Sequence, residues 1–501
     1  MHRKIIPLGS LALALSLPAG AQTAAAPSSG DLDALRKEIG AMRADYESRI
    51  QSLEKRVKDA EATAAKAQWS APPSAVAAGA AAATGTASTA STATPATPAT
   101  PAAALPAPAP AAPTLASAAP ALSGAGSASS FNPAISLILS GGYINTSRDP
   151  SNYAISGFAR TPDAEQGPGT RSFSLGETEL SFSASIDPYF RGTATLAVTP
   201  ENEVEVEEAF VETTALGNGM TLKGGRFFSN IGYLNPQHAH VWDFVDAPLA
   251  YQAMLGNQYG NDGLQLKWVA PIDQYLEFNA EVGRGASFPG SETGKNGNGM
   301  YSLGVHTGGD VGVSNSWRAG VAVLGTKASD QALLMGDGAG GEFTNAFTGK
   351  SRVYVLDGVW KWAPDGNATR TNFKLQGEYL RAQRDGDMVV DSSGAAIPGS
   401  YSDTTSGWYL QGIYQFMPRW RVGLRTERLD AGTPFFAGGS ELVANSGYSP
   451  SKNSLMLEYA PSEFSRVRLQ YARDLAREGQ PDNQIWIQYQ MSLGAHGAHG
   501  F

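Results

Sequence analysis

The sequence predicts an all-β fold: a transmembrane antiparallel β-barrel of about sixteen strands, preceded by an N-terminal α-helical coiled coil and a disordered linker. Three observations after Phe131 carry the barrel: alternating segments of membrane-crossing length, connections that are short and long by turns, and aromatics gathered beside the short ones.

The alternation has period two, as a strand with one apolar and one polar face requires. Thr178, Leu180, Phe182, Ala184 and Ile186 alternate with Glu177, Glu179, Ser181, Ser183 and Ser185. Leu276, Phe278, Ala280 and Val282 alternate with Glu277, Asn279 and Glu281, and Trp420, Val422 and Leu424 with Arg421, Gly423 and Arg425. Such segments fall at 134–145, 172–186, 190–199, 204–214, 220–229, 262–270, 275–284, 299–307, 316–325, 351–362, 370–381, 407–416, 419–430, 452–461, 465–474 and 484–493. Most approach the roughly 9–11 residues that a tilted strand needs to cross a bilayer. A soluble sandwich also alternates, so the other two observations decide. Connections after even strands are short, as at Asp187-Pro188-Tyr189 and Met417-Pro418. Those after odd strands are often long: 146–171, 230–261, 285–298, 326–350, 382–406 and 431–451. Short turns on one side of the membrane and long loops on the other mark bacterial membrane barrels. Tyr189, Trp268, Tyr275, Trp317, Trp362, Phe416, Trp420, Tyr459 and Phe464 all lie beside the short turns, where an interfacial girdle would sit. The chain ends on Phe501, after the tail that carries His496 and His499.

Ahead of the barrel region (131–501), three segments differ sharply. Residues 1–21 read as a secretory signal peptide: His2, Arg3 and Lys4 are basic, Ile5 to Leu17 are almost wholly apolar, and Ala19-Gly20-Ala21 offers a cleavage site. No Cys follows it, which removes a lipoprotein anchor. Residues 29–69 read as a periplasmic coiled coil. Leu32, Leu35, Ile39, Met42, Tyr46, Ile50, Leu53, Val57, Ala60, Ala64 and Ala67 form a seam, with one stutter at Met42–Tyr46–Ile50. A single amphipathic helix lying on a membrane is the alternative. Residues 70–130 are rich in Ala, Pro, Thr and Ser, cannot bury a core, and read as a disordered spacer.

Composition narrows the function. The chain has no Cys, which excludes disulfides and thiolate metal sites, and its net charge of −9 argues against nucleic acid as a partner. No G-x-S-x-G, H-E-x-x-H or P-loop motif is present, so no enzyme is expected. Secretion and a barrel place it in the outer membrane, with its coiled coil in the periplasm. Its partners are then outer-membrane lipid, lipopolysaccharide and the barrel-assembly machinery.

Two features are candidate sites. By strand parity Glu177, Glu179, Glu205 and Glu207 point inward from early strands, and Arg421, Arg425, Arg466 and Arg468 from late ones. Facing one another across a lumen, such walls set up a transverse field; simple pairing within the lumen is the bland alternative. The second feature is loop 230–261, long and aromatic, with His238, His240, Trp242, Asp243 and Asp246. It is expected either to tip outward or to fold into the barrel and constrict it. His238 and His240, in the company of Asp243 and Asp246, have the look of metal ligands. An H-x-H pair alone is a weak signal, because a metal needs three or four converging donors.

The succession of signal peptide, coiled coil, low-complexity spacer and sixteen-strand pattern resembles the trimeric porins that carry a periplasmic coiled coil, such as the sucrose-porin-like and DcaP-like porins. That resemblance implies a homotrimer, passive uptake of small hydrophilic solutes, and loop 230–261 as constriction loop. The stretch Gly225-Arg226-Phe227-Phe228-Ser229-Asn230-Ile231-Gly232 through His238, His240 and Pro248 also resembles outer-membrane proteins associated with zinc-responsive uptake, some of them labelled TonB-dependent receptors. It implies zinc as the candidate ion, with no other cofactor. The chain departs from true receptors of that class in lacking a plug domain and in having too few strands. A diffusion channel is therefore the leading expectation. Specific metal or ligand uptake, and a structural tether to the cell wall, are the alternatives.

Overall fold

Extended backbone is favoured where apolar side chains recur at every second residue, because one face can then meet lipid while the other meets water. The computed structural model describes residues 133–494, apart from 201–202, 293, 295, 337–341 and 392–393. The signal peptide, coiled coil, spacer and His496–Phe501 tail lie outside the described residues. The barrel strands are β1 Ala134–Thr146, β2 in two pieces (Ser172–Leu175 and Thr178–Ser185), β3 Phe190–Val198, β4 Val204–Thr213, β5 Met220–Phe228 and β6 Gly260–Val269. They continue as β7 Tyr275–Gly283, β8 Met300–Val311, β9 Asn315–Gly336, β10 Glu342–Trp362 and β11 Asn372–Val390. β12 Ile397–Met417, β13 Trp420–Asp430, β14 Ser451–Ser462, β15 Ser465–Leu475 and β16 Asp482–Gly494 complete the set. A two-residue strand, Phe435–Phe436, belongs to a loop. Among the described residues, sixteen strands thus pair in sequence, all antiparallel, and β1 closes the ring by pairing with β16 on one side and both pieces of β2 on the other.

The side chains sort as the alternation requires. Leu424 (64 % exposed), Leu356, Leu303 and Leu264 face outward, while Arg425, Glu281 and Gln484 point inward and are buried. Outward aromatics form two belts. Trp268, Trp317, Trp360, Tyr414 and Phe416 lie near the short turns, with Trp268 stacked on Phe278 and Trp420 tilted against Tyr459. Tyr301, Tyr354, Tyr379, Trp408 and Tyr471 form a second belt. Tyr354 and Trp360 are six positions apart on one strand, roughly 20 Å at about 3.3 Å per residue. No described helix is long and apolar enough to cross a membrane.

Two expected loops are largely strand. β9 and β10 stay paired from Asn315–Trp362 up to Gly336–Glu342, and β11 and β12 up to Val390–Ile397. Segments 326–350 and 382–406 therefore prolong hairpins instead of connecting them. Beyond the lipid band the apolar–polar contrast is no longer imposed, so alternation fades while the hydrogen-bonded ladder continues. A separate cluster holds these ends together: Ala159, Ala328, Leu333, Phe347, Met388, Val390, Tyr401, Phe436 and Val443.

Candidate functional site: a loop pinned across the lumen

The chain between Phe228 and Gly260 turns into the barrel, because its side chains are too apolar for a solvated tip. Ile231, Leu234, Phe244, Leu249, Ala250, Tyr251, Met254, Leu255 and Tyr259 are all buried. Its one helix, α1 (Leu249–Leu255), is buried along its whole length and stops at Gly256, whose φ of 62° is left-handed. This apolar side packs on lumen-facing Leu324, Val353, Val355, Leu380, Ala382, Tyr409 and Leu429 of β9–β13.

Polar bonds fix the loop at four places. At its start, Asn230 donates to Glu281 (2.8 Å) and Glu277 (2.9 Å) of β7. Glu378 of β11 then accepts from the backbone N–H groups of Tyr233 (3.2 Å) and Leu234 (2.9 Å), and from the hydroxyls of Tyr251 (2.8 Å) and Tyr409 (2.6 Å). On the basic wall, Asp243 pairs with Lys374 (2.5 Å) and lies 3.7 Å from Arg421. Asp246 takes Arg425 (2.9 Å), Lys452 (2.6 Å) and the amide of Gln470 (2.7 Å). On the acidic wall, His238 meets Glu179, Glu207 and Glu208, and His240 meets Glu179.

Loop and walls are thus matched in charge: histidines turn toward the carboxylates of β2 and β4, aspartates toward the cations of β11, β13 and β14. The electrostatics follow. Burial opposes ionisation of Asp243 and Asp246, but the surrounding cations more than offset it and hold both below the usual carboxylate range. Burial likewise opposes charging His238, and the three carboxylates more than offset that, so it stays protonated well above its ordinary pKa.

The eight inward charges all reach the lumen, but not across an open gap. Arg468 donates to the Trp242 carbonyl (2.9 Å) and, with Arg421, pairs with Glu458; Arg466 donates to the His240 carbonyl. Arg425 and Arg468 have side chains only 2 % and 1 % exposed, so these arginines clasp the loop. The loop lies between the two walls, where Glu179, Glu207 and the four arginines are paired. Asp243 and Asp246 also prove to be the wrong company for the histidines, since they face the opposite wall. Sequence reading missed Glu208. A bulge where Thr195 and Leu196 of β3 meet Glu208 and Val206 flips parity, which turns both Glu207 and Glu208 inward. It also passed over Lys374, Glu378, Lys452 and Glu458, although their parity marks them as lumenal.

Between the loop and the early strands a cavity of about 660 Å³ remains. Glu177, Glu205, Glu207, Arg226, Asp262 and Arg284 line its wall, and Ala239, Trp242, Val245 and Asp246 its loop side. Arg226 pairs with Asp262 (2.7 Å) and Arg284 lies 4.0 Å from it, which leaves the lining richer in carboxylates than in cations.

No family model matches the sequence. An uncharacterized protein of Aquifex aeolicus (strain VF5) is 29 % identical over 408 residues, 75 % of this chain and 81 % of that protein. Solved structures with similarity include a loop L8 deletion mutant of OmpT, an outer membrane protein of Vibrio cholerae (12 % identity, TM-score 0.43, 72 % of this chain and 99 % of that one). The outer membrane channel DcaP of Acinetobacter baumannii has 14 % identity and a TM-score of 0.41, over 72 % of this chain and 96 % of its own. OprB of Pseudomonas putida has 13 % identity and a TM-score of 0.39, over 72 % and 93 %.

Proposed function

We propose that this chain is a porin-like channel of the outer membrane, passing small hydrophilic solutes by diffusion with a preference for cations. The observation that carries this reading is the cavity left beside the inserted loop, lined by more carboxylates than cations. A ring of sixteen strands is wide enough to hold water inside, and a water-filled constriction with one sign of charge concentrates the opposite ion. Glu205 and Glu207 are the selecting residues in this reading. Arg421, Arg425, Arg466 and Arg468 act through the loop they hold. The apolar outer band with its two aromatic belts suits a bilayer, and the seam at 29–69 suits a homotrimer.

Planar-bilayer recording tests the reading. Stepwise currents with a cation-selective reversal potential are expected, and Glu205→Lys should move that potential toward anions. Inserted protein that carries no current would leave the tether as the better reading. An unchanged potential in Glu205→Lys would remove that wall from the conducting path.

A further inference from the structure

The contact between loop and acidic wall contains more than a latch needs. His238 Nδ1 lies 3.1 Å from Glu207 Oε2 and 3.2 Å from Glu179 Oε2, while Nε2 lies 3.0 Å from Glu208 Oε2. His240 Nδ1 is 2.5 Å from Glu179 Oε1. The two imidazoles stack with centroids 5.6 Å apart. One donor atom each from Glu179, His238 and His240 falls within 4.8 Å of the others, and so does one each from Glu177, Glu179 and Glu207, so Glu179 is common to both groups. Four carboxylates and two imidazoles thus crowd one patch of the acidic wall, with Glu208 on the far edge of the His238 ring. Glu179 is only 1 % exposed and its Oε2 has just the 3.2 Å contact with His238, while Glu177 Oε1 is buried without a hydrogen-bond partner. Unpaired carboxylate oxygens out of water are costly unless something positive completes them.

We propose that Glu179, His238 and His240, with Glu207 closing the set, bind a divalent transition-metal ion. In a tetrahedral site with bonds of roughly 2.0–2.2 Å, donor atoms stand about 3.3–3.6 Å apart. The His238–Glu179 and His238–Glu207 separations of 3.2 and 3.1 Å need little adjustment. The outer shell is also in place. A ligating histidine almost always gives its other ring N–H to a carboxylate, which fixes tautomer and ring orientation. With Nδ1 of His238 on the ion, Nε2 already faces Glu208. The 3₁₀ turn Ala239–Val241 follows His238 and carries His240, so both rings are delivered by one short segment. Two imidazole nitrogens with two carboxylates suit Zn²⁺, Co²⁺ or Ni²⁺, whereas Mg²⁺ and Ca²⁺ prefer all-oxygen sets. Glu177, Glu207 and Ala239 line the cavity, which supplies a path of entry. The ion would join the loop to β2 and β4. The site does not depend on the chain conducting, because binding is measured without current.

The test uses the mature full-length protein in detergent, stripped with a chelator and titrated with Zn²⁺ by calorimetry. One Zn²⁺ per chain is expected, undisturbed by a thousandfold excess of Mg²⁺. His240→Ala and Glu179→Gln should each weaken binding at least tenfold, and Glu208→Gln by roughly 10–100-fold through the orientation of His238. His496→Ala with His499→Ala should leave it intact. No Zn²⁺ binding, binding that survives His240→Ala, or binding lost with the tail histidines would each overturn the proposal. Co²⁺ added to the unmutated protein should give d–d bands of tetrahedral intensity. Their absence would overturn it without recourse to a variant.

Discussion

Asp246 is held by side chains from three successive strands: Arg425 of β13, Lys452 of β14 and Gln470 of β15. Glu427 and Asp474 complete the buried set, at 2.7 Å from Arg425 and 3.6 Å from Lys452. Removing one member of such a group leaves its partners charged and uncompensated. Asp246→Asn should therefore cost about 3–5 kcal/mol, read as a lower midpoint for heat-induced unfolding in detergent. The same contact sets a pH dependence. The carboxyl is depressed in the folded protein, so its contribution is full above the unfolded value of roughly 3.9 and fades as pH falls through the lower folded value. Loop protection from protease should hold through mildly acidic pH and fail only under strong acid. A loss near neutrality would contradict it. Of these partners, Arg425 was visible in the sequence, because strand parity places it. The pairing with Asp246 was not, because parity gives a direction and nothing about what a loop brings to meet it.

At the scale of elements, the loop depends on a turn that only glycine makes cheaply. Gly232 has φ 69°, and a Cβ there would overlap the Glu378 carboxylate and crowd the Tyr251 hydroxyl. Glu378 is locked by four hydrogen bonds and has nowhere to go. Gly232→Ala should undock the loop and spare the barrel: larger single-channel currents with a normal heat-shifted band on gels. Currents of wild-type size would mean that the loop does not set the constriction. The strands have their own test in Leu424→Arg, on the lipid face of β13, where a charge costs roughly 2–4 kcal/mol at mid-membrane. It should impair assembly, and an unimpaired barrel would reverse the inside–outside assignment. Strand existence and parity were legible because lipid outside and water inside enforce contrast at every second residue. Strand ends were not, at 326–350 and 382–406, where water on both sides removes it. The bulge beside Glu208 was hidden for a related reason: Glu207 and Glu208 are alike, so nothing in the pattern marks the slip.

At the scale of the molecule, the ring of described strands closes through β1 and β16. Deleting 22–130 should leave a barrel that inserts and folds, whereas the full chain should run as a trimer by mass measurement in mild detergent. A monomeric full chain would end the reading of the seam as a trimer-forming coiled coil. The barrel was readable as a whole because sixteen repeats of one simple rule reinforce each other. The inward course of the loop rested on weaker grounds, namely too many apolar residues for a solvated tip. The cluster above the membrane was not readable at all. Its members run from Ala159 to Val443: Phe347 faces Met388 and Tyr401 faces Phe436 across neighbouring strands, whereas Ala159 and Val443 arrive from separate loops. That has a consequence in time. The ends of β9–β12 meet Ala159 and Val443 only when distant loops have joined them, so this outer cap should be completed late in folding. Until then Phe347, Met388 and Leu333 cover one another only in part, and the interval before capping should be when the young protein is most open to sticking and to cleavage.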